Sequence, residues 1–302
     1  MIVAISSNPA IDRVAEVTGA RGGGVRRATR FLETAGGKAA HVAAIAGALG
    51  ARVGLVVAAD ERYAALLEEE AVDATVISTA STRGTYTVVD DREADVIEVH
   101  EPGGALAAEA AARLTDAAVA AARDATVVVS AGSIAAGLDP SFHATVAGAA
   151  TGFTIVDTSD VEAMRRALGA SPDLVKPNLT EARALVGEGA PEELARRLRA
   201  HGARNVWLSL GPDGSVLCTP ERAVRLPAPS PPRVVNAVGA GDALVGGLVA
   251  GLHRGMDLIA AARLGVAAAA AKVGQLHPAR VDLPTVERLA RSIHPEPVKE
   301  NA

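Results

Sequence analysis

The 302 residues include one cysteine, Cys218, with three phenylalanines, two tyrosines and one tryptophan. A lone cysteine excludes an internal disulfide framework and any Cys-x-x-Cys metal or redox centre. So few aromatics, with a net charge of −5, leave neither the basic stripe nor the stacking platform of a nucleic-acid-binding surface. No apolar run approaches the roughly 18 residues of a membrane span. The seven histidines show no His-x-x-x-His spacing, which argues against zinc, and no Gly-x-Ser-x-Gly elbow offers a hydrolase triad. Lysine is scarce: Lys38, Lys176, Lys272 and Lys299 stand among 30 basic residues. In a chain that uses arginine by default, a lysine inside a tight motif marks a need for a compact point charge. The opening MIVAISSNPA lacks a basic region and a long apolar region, so the expectation is a cytoplasmic protein without a signal peptide.

What is present is rhythm. Short β-branched runs at 2–6, 53–57, 126–130, 154–157, 174–176 and 206–210 alternate with long Ala/Leu/Arg stretches, the pattern of βα units on a parallel sheet. Side-by-side apolar residues such as Val127-Val128-Val129 and Val206-Trp207-Leu208 suit strands covered on both faces. Val42, Ile45 and Leu49 recur at helical spacing, as do Leu194, Leu198 and His201. The alanine-rich stretches 107–122 and 267–271 keep larger residues at intervals, which reads as packed helix. Two segments break the rhythm. Residues 12–31 hold Gly22-Gly23-Gly24 and no clear helix, and 82–100 alternate around the polar turn Asp90-Asp91-Arg92-Glu93. The second reads as a hairpin outside the main sheet, joined by the first as a small lid. The tail from His294 onward reads as loose.

The strongest motif is VVNAVGAGDALVGGLVAGL, residues 234–252. Leu244, Val245, Leu248, Val249 and Leu252 share a helical face, which places Gly239, Ala240 and Gly241 at a helix N-terminus. Free amides and the helix dipole favour an anion there, and glycines let a phosphate approach the backbone. Asp242 follows in the first turn. Such an aspartate can simply stabilise its helix; beside an anion site it can take the proton of a nucleophile attacking a phosphoryl group. Neither a Gly-x-x-x-x-Gly-Lys-Ser/Thr loop nor a Gly-x-Gly-x-x-Gly fingerprint occurs, since Leu244 holds the place of the last glycine.

A second glycine cluster, TAGGKAAHVAAIAGALG, opens a helix at Gly36 and Gly37 and adds the cation Lys38. It reads as an anion or hydroxyl site, or as a tight turn with a solvated lysine. In DLVKPNLTEARALVG a strand ends at Lys176, and Asn178 or Thr180 can cap the helix that holds Glu181. Asn178 and Glu181 can also hold Mg²⁺ through water as hard oxygen donors. Asp12 lies past the first strand, where a carboxylate can accept sugar hydroxyls. Arg83 at the hairpin start is a phosphate clamp or a solvated arginine. Ser133 sits at the carboxyl end of a strand, where open α/β sheets bind ligands. Ser209, Gly211 and Gly214 form a turn that borders a nucleotide or simply closes a hairpin.

Together these motifs resemble the ribokinase-like sugar kinases, within them the phosphofructokinase B branch of 1-phosphofructokinases and tagatose-6-phosphate kinases. The resemblance runs in order through NPAID, AGGK, Thr82-Arg83, EPG at 101–103, Gly132-Ser133, KPNLTEA, SLGPDG and VGAGD. It implies one kinase domain over 1–302, a three-layer α/β/α sandwich with a mostly parallel central sheet, and a small β lid with strands within 8–31 and 82–103. It implies ATP and Mg²⁺ as cofactors, a sugar phosphate as acceptor and a homodimer formed through the lid, with no nucleic-acid or membrane partner. By position, Asp242 resembles the general base, and the amides of Gly239, Ala240 and Gly241 the anion hole. Asp12, Gly36, Gly37, Lys38, His41, Arg83 and Ser133 match the sugar-phosphate shell. Lys176, Asn178, Glu181, Ser209, Gly211 and Gly214 match positions near ATP, with Asn178 and Glu181 on the metal through water.

The departures fall mainly in the sugar-reading shell. His41 stands where the family has Asn, Ala39 replaces a glycine, Ala131 a serine and Ala135-Ala136 two prolines, while Asn236-Ala237 precede VGAGD in place of a threonine. The expected function is therefore an ATP-dependent kinase of a ketohexose phosphate such as fructose 1-phosphate, fructose 6-phosphate or tagatose 6-phosphate. The alternatives are a kinase of an unphosphorylated sugar or nucleoside, to which His41 points, and a catalytically weak ligand-binding member of the fold.

Overall fold

Short β-branched runs and long alanine-rich stretches alternate along the chain, and the computed structural model, which describes residues 1–20, 24–92, 96–231 and 233–298, gathers the strands into two sheets. The chain begins β1 (Ile2–Ser6), β2 (Ala10–Val17), β3 (Arg30–Gly36), α1 (Lys38–Ala48), β4 (Val53–Ala59), α2 (Glu61–Glu69) and β5 (Ala74–Ser78). It continues through β6 (Arg83–Asp90), β7 (Val96–His100), α3 (Ala108–Asp124), β8 (Val127–Ala131), α4 (Phe142–Ala149), β9 (Phe153–Asp157) and α5 (Val161–Gly169). Then follow β10 (Leu174–Val175), α6 (Leu179–Val186), α7 (Pro191–Ala200), β11 (Asn205–Ser209), β12 (Ser215–Cys218) and β13 (Ala223–Leu226). The chain closes with α8 (Ala240–His253), α9 (Leu258–Lys272), α10 (Leu283–Ser292) and β14 (Glu296–Pro297).

The large sheet has the order β14-β13-β12-β11-β10-β9-β8-β1-β4-β5. It is parallel from β11 to β5 and antiparallel at the β12–β14 edge. Every residue of β1 and β8 is buried, as a sheet covered by helices on both sides requires. Successive residues of β1 serve opposite cores. Ile2 and Ala4 join Val42, Ile45, Leu244 and Leu248, whereas Val3 and Ile5 join Leu114, Phe142 and Val146. The carboxyl ends of β1, β8 and β9 thus open toward one rim, where α8 and α1 begin. The residues of 294–298, expected to be loose, instead pair β14 with β13. Gly22, Gly23, Glu93 and the tail beyond 298 lie outside the described residues.

The second sheet, β3-β2-β6-β7, stands apart from the first. Residues 10–17 form a strand within the segment 8–31 expected to hold lid strands, and β3 reaches Gly36, past that segment. One face carries the rows Thr34–Asp12–Thr85–His100 and Leu32–Val14–Thr87–Glu98. The other carries Phe31, Ala15, Val88 and Ile97, beside Glu33, Arg13, Tyr86 and Val99. The polarity is the reverse of a sheet capping an oily core: Asp12, Thr34, Thr85 and Thr87 are buried, while Phe31, Ile97 and Val99 are at least half exposed.

Helix α8 is buried on all sides from Asp242 to Gly251, not along the single apolar face that its spacing suggested. It lies this deep because glycines let neighbouring backbones approach. A Cβ on Gly247 would stand 2.6 Å from Gly265 Cα, and one on Gly265 would stand 2.4 Å from the Leu244 carbonyl oxygen and 2.5 Å from Trp207 Cη2. The α8–α9 pairing therefore fixes the depth of Asp242. Gly265→Ala is expected to cost about 1–3 kcal/mol by overpacking. Gly47→Ala in α1, where nothing lies within 4 Å, is expected to leave stability unchanged or raise it by about 1 kcal/mol. Thermal denaturation of the two variants reads the difference.

Candidate functional site

The turn before α8 is set by Gly239, which adopts φ 82° and lies so close to Pro278 that a Cβ would stand 2.2 Å from its carbonyl oxygen. Any side chain there would break both the left-handed conformation and the packing. The Ala240 amide donates to the Ala237 carbonyl at 3.1 Å. This corrects the expectation that Ala240 joins the anion hole: its N–H closes the turn. The amides of Gly241 and Asp242 lie in the first helical turn, where the helix offers no carbonyl partner. Lys176 reaches this place, since a Cβ on Gly241 would be 3.4 Å from its Nζ.

Asp242 is 7 % exposed and His41 4 %. His41 Nδ1 lies 2.7 Å from Asp242 Oδ2, and Nε2 lies 2.8 Å from Asp12 Oδ2. Both ring nitrogens of this residue, assigned by the resemblance to the sugar shell, are thus engaged by carboxylates. Thr85 Oγ1 donates to the other Asp12 oxygen at 2.5 Å. Burial opposes a charge on His41, but the two carboxylates outweigh it and raise the imidazole pKa to about 10. Burial likewise opposes ionisation of Asp242. The His41 hydrogen bond and the charges of Lys38 and Lys176 prevail, so its carboxyl titrates below the ordinary aspartate range.

Lys38, expected at a sugar phosphate, directs its ammonium 3.1 Å from Asp157 Oδ1 and 3.9 Å from Asp242 Oδ1. Burial disfavours its charge; Asp157, Asp242 and Glu181 overcome that and hold it protonated. Lys176 Nζ lies 3.2 Å from Asp157 Oδ2, without the geometry of a hydrogen bond. Asp157, at the end of β9 and fully buried, joins the two lysines and was not anticipated. The available signal was a carboxylate ending a buried strand in a chain with few lysines. Tyr63 was missed as well; its hydroxyl donates to the Gly36 carbonyl at 2.7 Å. Gly36 itself admits no side chain, for a Cβ would sit 2.1 Å from Asp12 Cγ.

Gly37 caps α1 with φ 93°. Arg83 starts β6 opposite Ala10 of β2 and is half-buried. Its Nη2 makes a long 3.5 Å contact to the Asn8 carbonyl, while its Nε is buried with no hydrogen-bond partner among the described residues. Burial lowers its pKa, opposed by Asp12 and Glu101. Ser133 lies nearby through Asn8, whose Nδ2 donates to Ser133 Oγ at 3.0 Å.

Asn178 and Glu181 form a reciprocal capping box: each backbone N–H donates to the other's side chain at 2.8 Å. The capping alternative is therefore realised. Among the described residues no group of three or more His, Cys, Asp or Glu side chains is placed to hold a metal ion. That donor set fits a cation held chiefly by nucleotide phosphates and water. Ser209 bridges to Asn178, and its hydroxyl donates to the Pro177 carbonyl at 3.4 Å. Gly211 and Gly214 close the β11–β12 hairpin, and a Cβ on Gly214 would stand 2.2 Å from the Leu226 carbonyl oxygen. The structure thus joins Asp12, His41, Lys38, Asp157, Lys176 and Asp242 in one cluster, with Asn178 and Ser209 adjoining Lys176 along the chain and across the bridge.

The imidazolium has a stability signature. Unfolded histidine titrates near 6.5, and His41 in the fold at about 10. Its contribution is full below pH 6.5, erodes between 6.5 and 10, and is gone above. Melting temperature across that window should fall more steeply in the wild type than in His41→Asn; parallel curves would refute a protonated bridge.

A family model described as pfkB family carbohydrate kinase matches residues 1–285. The chain is 32 % identical over 305 residues to a 1-phosphofructokinase of Rhodobacter capsulatus, covering 96 % of this chain and 94 % of that protein. It is 31 % identical over 294 residues to an ATP-dependent 6-phosphofructokinase isozyme 2 of Mycobacterium tuberculosis, covering 89 % and 83 %. Among solved structures, phosphofructokinase-2 from Escherichia coli in complex with substrates and products superposes with TM-score 0.87 at 25 % identity, covering 96 % and 98 %.

Proposed function

Because the chain belongs to the pfkB family of carbohydrate kinases and has the ribokinase-like α/β fold, we propose that it transfers the γ-phosphoryl of ATP to a hydroxyl of a ketohexose phosphate. Fructose 1-phosphate, fructose 6-phosphate and tagatose 6-phosphate are the acceptors in view. The observation that carries the phosphorylated acceptor is Arg83, whose buried Nε has no acceptor among the described residues. A guanidinium held half-buried with an unmet donor matches a phosphate oxygen. Asp12, on the inner face of the small sheet, orients the sugar.

Asp242 acts through Oδ1, since Oδ2 is bonded to His41. The sugar oxygen attacks the γ-phosphorus; the new O–P bond forms as the bond to the ADP oxygen breaks, and the hydroxyl proton passes to Asp242. The free amides at the start of α8, with Lys38 and Lys176, meet the charge on the transferred group. These donors are fixed before reaction, so little reorganisation is needed. Ser209, Gly211, Gly214, Asn178 and Glu181 border the nucleotide. Mg²⁺ bound to the ATP phosphates would neutralise part of their charge, with Glu181 and Asn178 reaching its waters.

The whole chain forms one kinase domain, and the four-stranded sheet acts as its lid, excluding water when closed. The exposed face of Phe31, Tyr86, Ile97 and Val99 is then buried against the same face of a second copy, giving a dimer. No helix among the described residues is long and apolar enough to cross a membrane, and the cytoplasm is the expected compartment.

Release of ADP from Mg·ATP against sugar phosphates, free sugars and nucleosides tests the reading. Turnover is expected on one ketohexose phosphate. Asp242→Asn should lower kcat by about 10²–10⁴-fold and spare ATP binding, while Arg83→Ala should chiefly raise KM for the sugar. Turnover only on an unphosphorylated compound would overturn the phosphate clamp. In sedimentation velocity the wild type should run as a dimer and Ile97→Lys with Val99→Lys as a monomer; an unchanged dimer would exclude the lid face.

A further inference from the structure

At the amino ends of the parallel strands, opposite the rim that holds Asp242, lies a cavity of about 590 Å³. Register places it there: Cys218, in its wall, pairs with Val206 near the start of β11, whereas Asp157 ends β9. The wall takes Arg196 and Arg199 from α7 and Arg222 from the β12–β13 turn. Among the described residues that line it, Glu221 is the one carboxylate, so three guanidiniums against it leave a net charge of +2. The adjoining cavity of about 440 Å³ shares Arg196, but there Glu192 and Glu193 balance Arg196 and Arg225. The excess is thus particular to one cavity, in a chain whose net charge is −5.

The protein itself does not use up these charges. Among the described residues the guanidiniums of Arg196 and Arg222 have neither an ion pair nor a hydrogen bond. Arg199 donates from Nε to the Arg204 carbonyl at 2.9 Å, which holds its guanidinium beside Cys218. Burial pushes the Cys218 thiol up in pKa while Arg199 and Arg196 pull it down, so both charges are felt at the cavity wall. The one carboxylate is turned to its own loop: Glu221 Oε2 accepts from Thr219 Oγ1 at 2.9 Å. Thr219 Oγ1 also accepts from the amides of Glu221 and Arg222, each at 3.2 Å, which fixes the turn that carries Arg222. Guanidiniums match phosphate oxygens in a planar fork, and a phosphate monoester carries about −1.5 to −2 near neutral pH, the charge this wall lacks. The rest of the wall is apolar, with Val224, Ile259, Pro295 and Pro297. It offers a surface to a ring and nothing to inorganic phosphate, and the volume suits a small organic ligand.

We propose that this cavity is a second ligand site, separate from the reaction site, which takes a phosphate monoester with a ring-sized body. Arg196, Arg199 and Arg222 hold the phosphate, and the apolar wall holds the ring. A ligand there ties α7 to the β12–β13 turn and to Pro297 of β14. A nucleoside monophosphate and a hexose phosphate share this chemistry. The inference is independent of the kinase reading, because no residue of the cavity belongs to the cluster around Asp242.

The test is calorimetric titration of the whole chain with adenosine 5′-monophosphate and, separately, glucose 6-phosphate, the ATP site being filled by a non-hydrolysable Mg·ATP analogue. At least one should bind, bind more weakly as salt rises, and slow amide exchange in a peptide spanning 218–225; the tighter of the two identifies the ring. Arg196→Ser combined with Arg222→Ser should weaken that binding by about 10-fold or more. Melting temperature, and kcat and KM without the added ligand, should stay as in the wild type. Both side chains are exposed, and Arg222→Glu alone repeats the comparison if the double variant folds poorly. Binding of neither compound refutes the site. Binding that the arginine variants leave undiminished belongs to the reaction site and refutes it equally. Adenosine or glucose binding as tightly as its phosphate would remove the role of the arginines, and inorganic phosphate binding as tightly as both would remove that of the ring. If the chain binds no ATP analogue the kinase reading fails, and the arginine variants still decide the cavity.

Discussion

A buried imidazolium between two carboxylates organises the site. Asp12 comes from the small sheet, His41 from α1 and Asp242 from α8, so the bridge ties the three elements that enclose the reaction. Two buried carboxylates a few ångströms from a common point repel each other and resist ionisation. One protonated ring between them removes both penalties, and burial strengthens the remaining attraction. The bridge also engages Asp242 Oδ2 and leaves Oδ1, the oxygen nearer Lys38, for the base role proposed for it.

The second constraint is the placement of cations. Lys38 and Lys176 come from sequence positions far apart and meet at Asp157, fully buried at the end of β9. Without that carboxylate the two ammonium groups would repel each other. With it they stand beside the α8 terminus, and the two ammonium groups and Asp157 together keep a net positive charge. The glycines of α8 and α9 serve the same arrangement, because they let α8 lie deep enough for Asp242 to join the cluster.

Much of this was legible in the residues. The alternation of apolar runs with alanine-rich stretches pointed to a parallel sheet built from the runs that became β1, β4, β8 and β9, though not to their order. The glycines at 36–37 and 239–241 marked the starts of α1 and α8 because few other residues permit such turns. The motifs also named Asp12, Lys38, His41, Lys176 and Asp242, which the fold brings together. Asp157 was not legible as a partner, since an aspartate ending a strand looks the same whether it faces solvent or two lysines. A strand in the region of β2 was expected only from the family resemblance. The residues alone did not show it, because buried positions fall on both its faces, Ala10, Asp12 and Val14 on one and Ile11 and Val17 on the other, which erases the alternation.

Local chemistry therefore determined which segments become strands and helices, where the chain can turn sharply, and which residue types are available for phosphoryl transfer. Periodicity and glycine placement act over a few residues, so the sequence carries them openly. Which nitrogen of His41 meets which carboxylate, that Ala240 closes a turn, and that Lys272 donates to the Asn236 carbonyl were decided only by the tertiary structure. Those pairings span from three to about two hundred residues of chain. They depend on burial and on angstrom-scale approach between elements, and neither quantity has a signature in a linear string of residues.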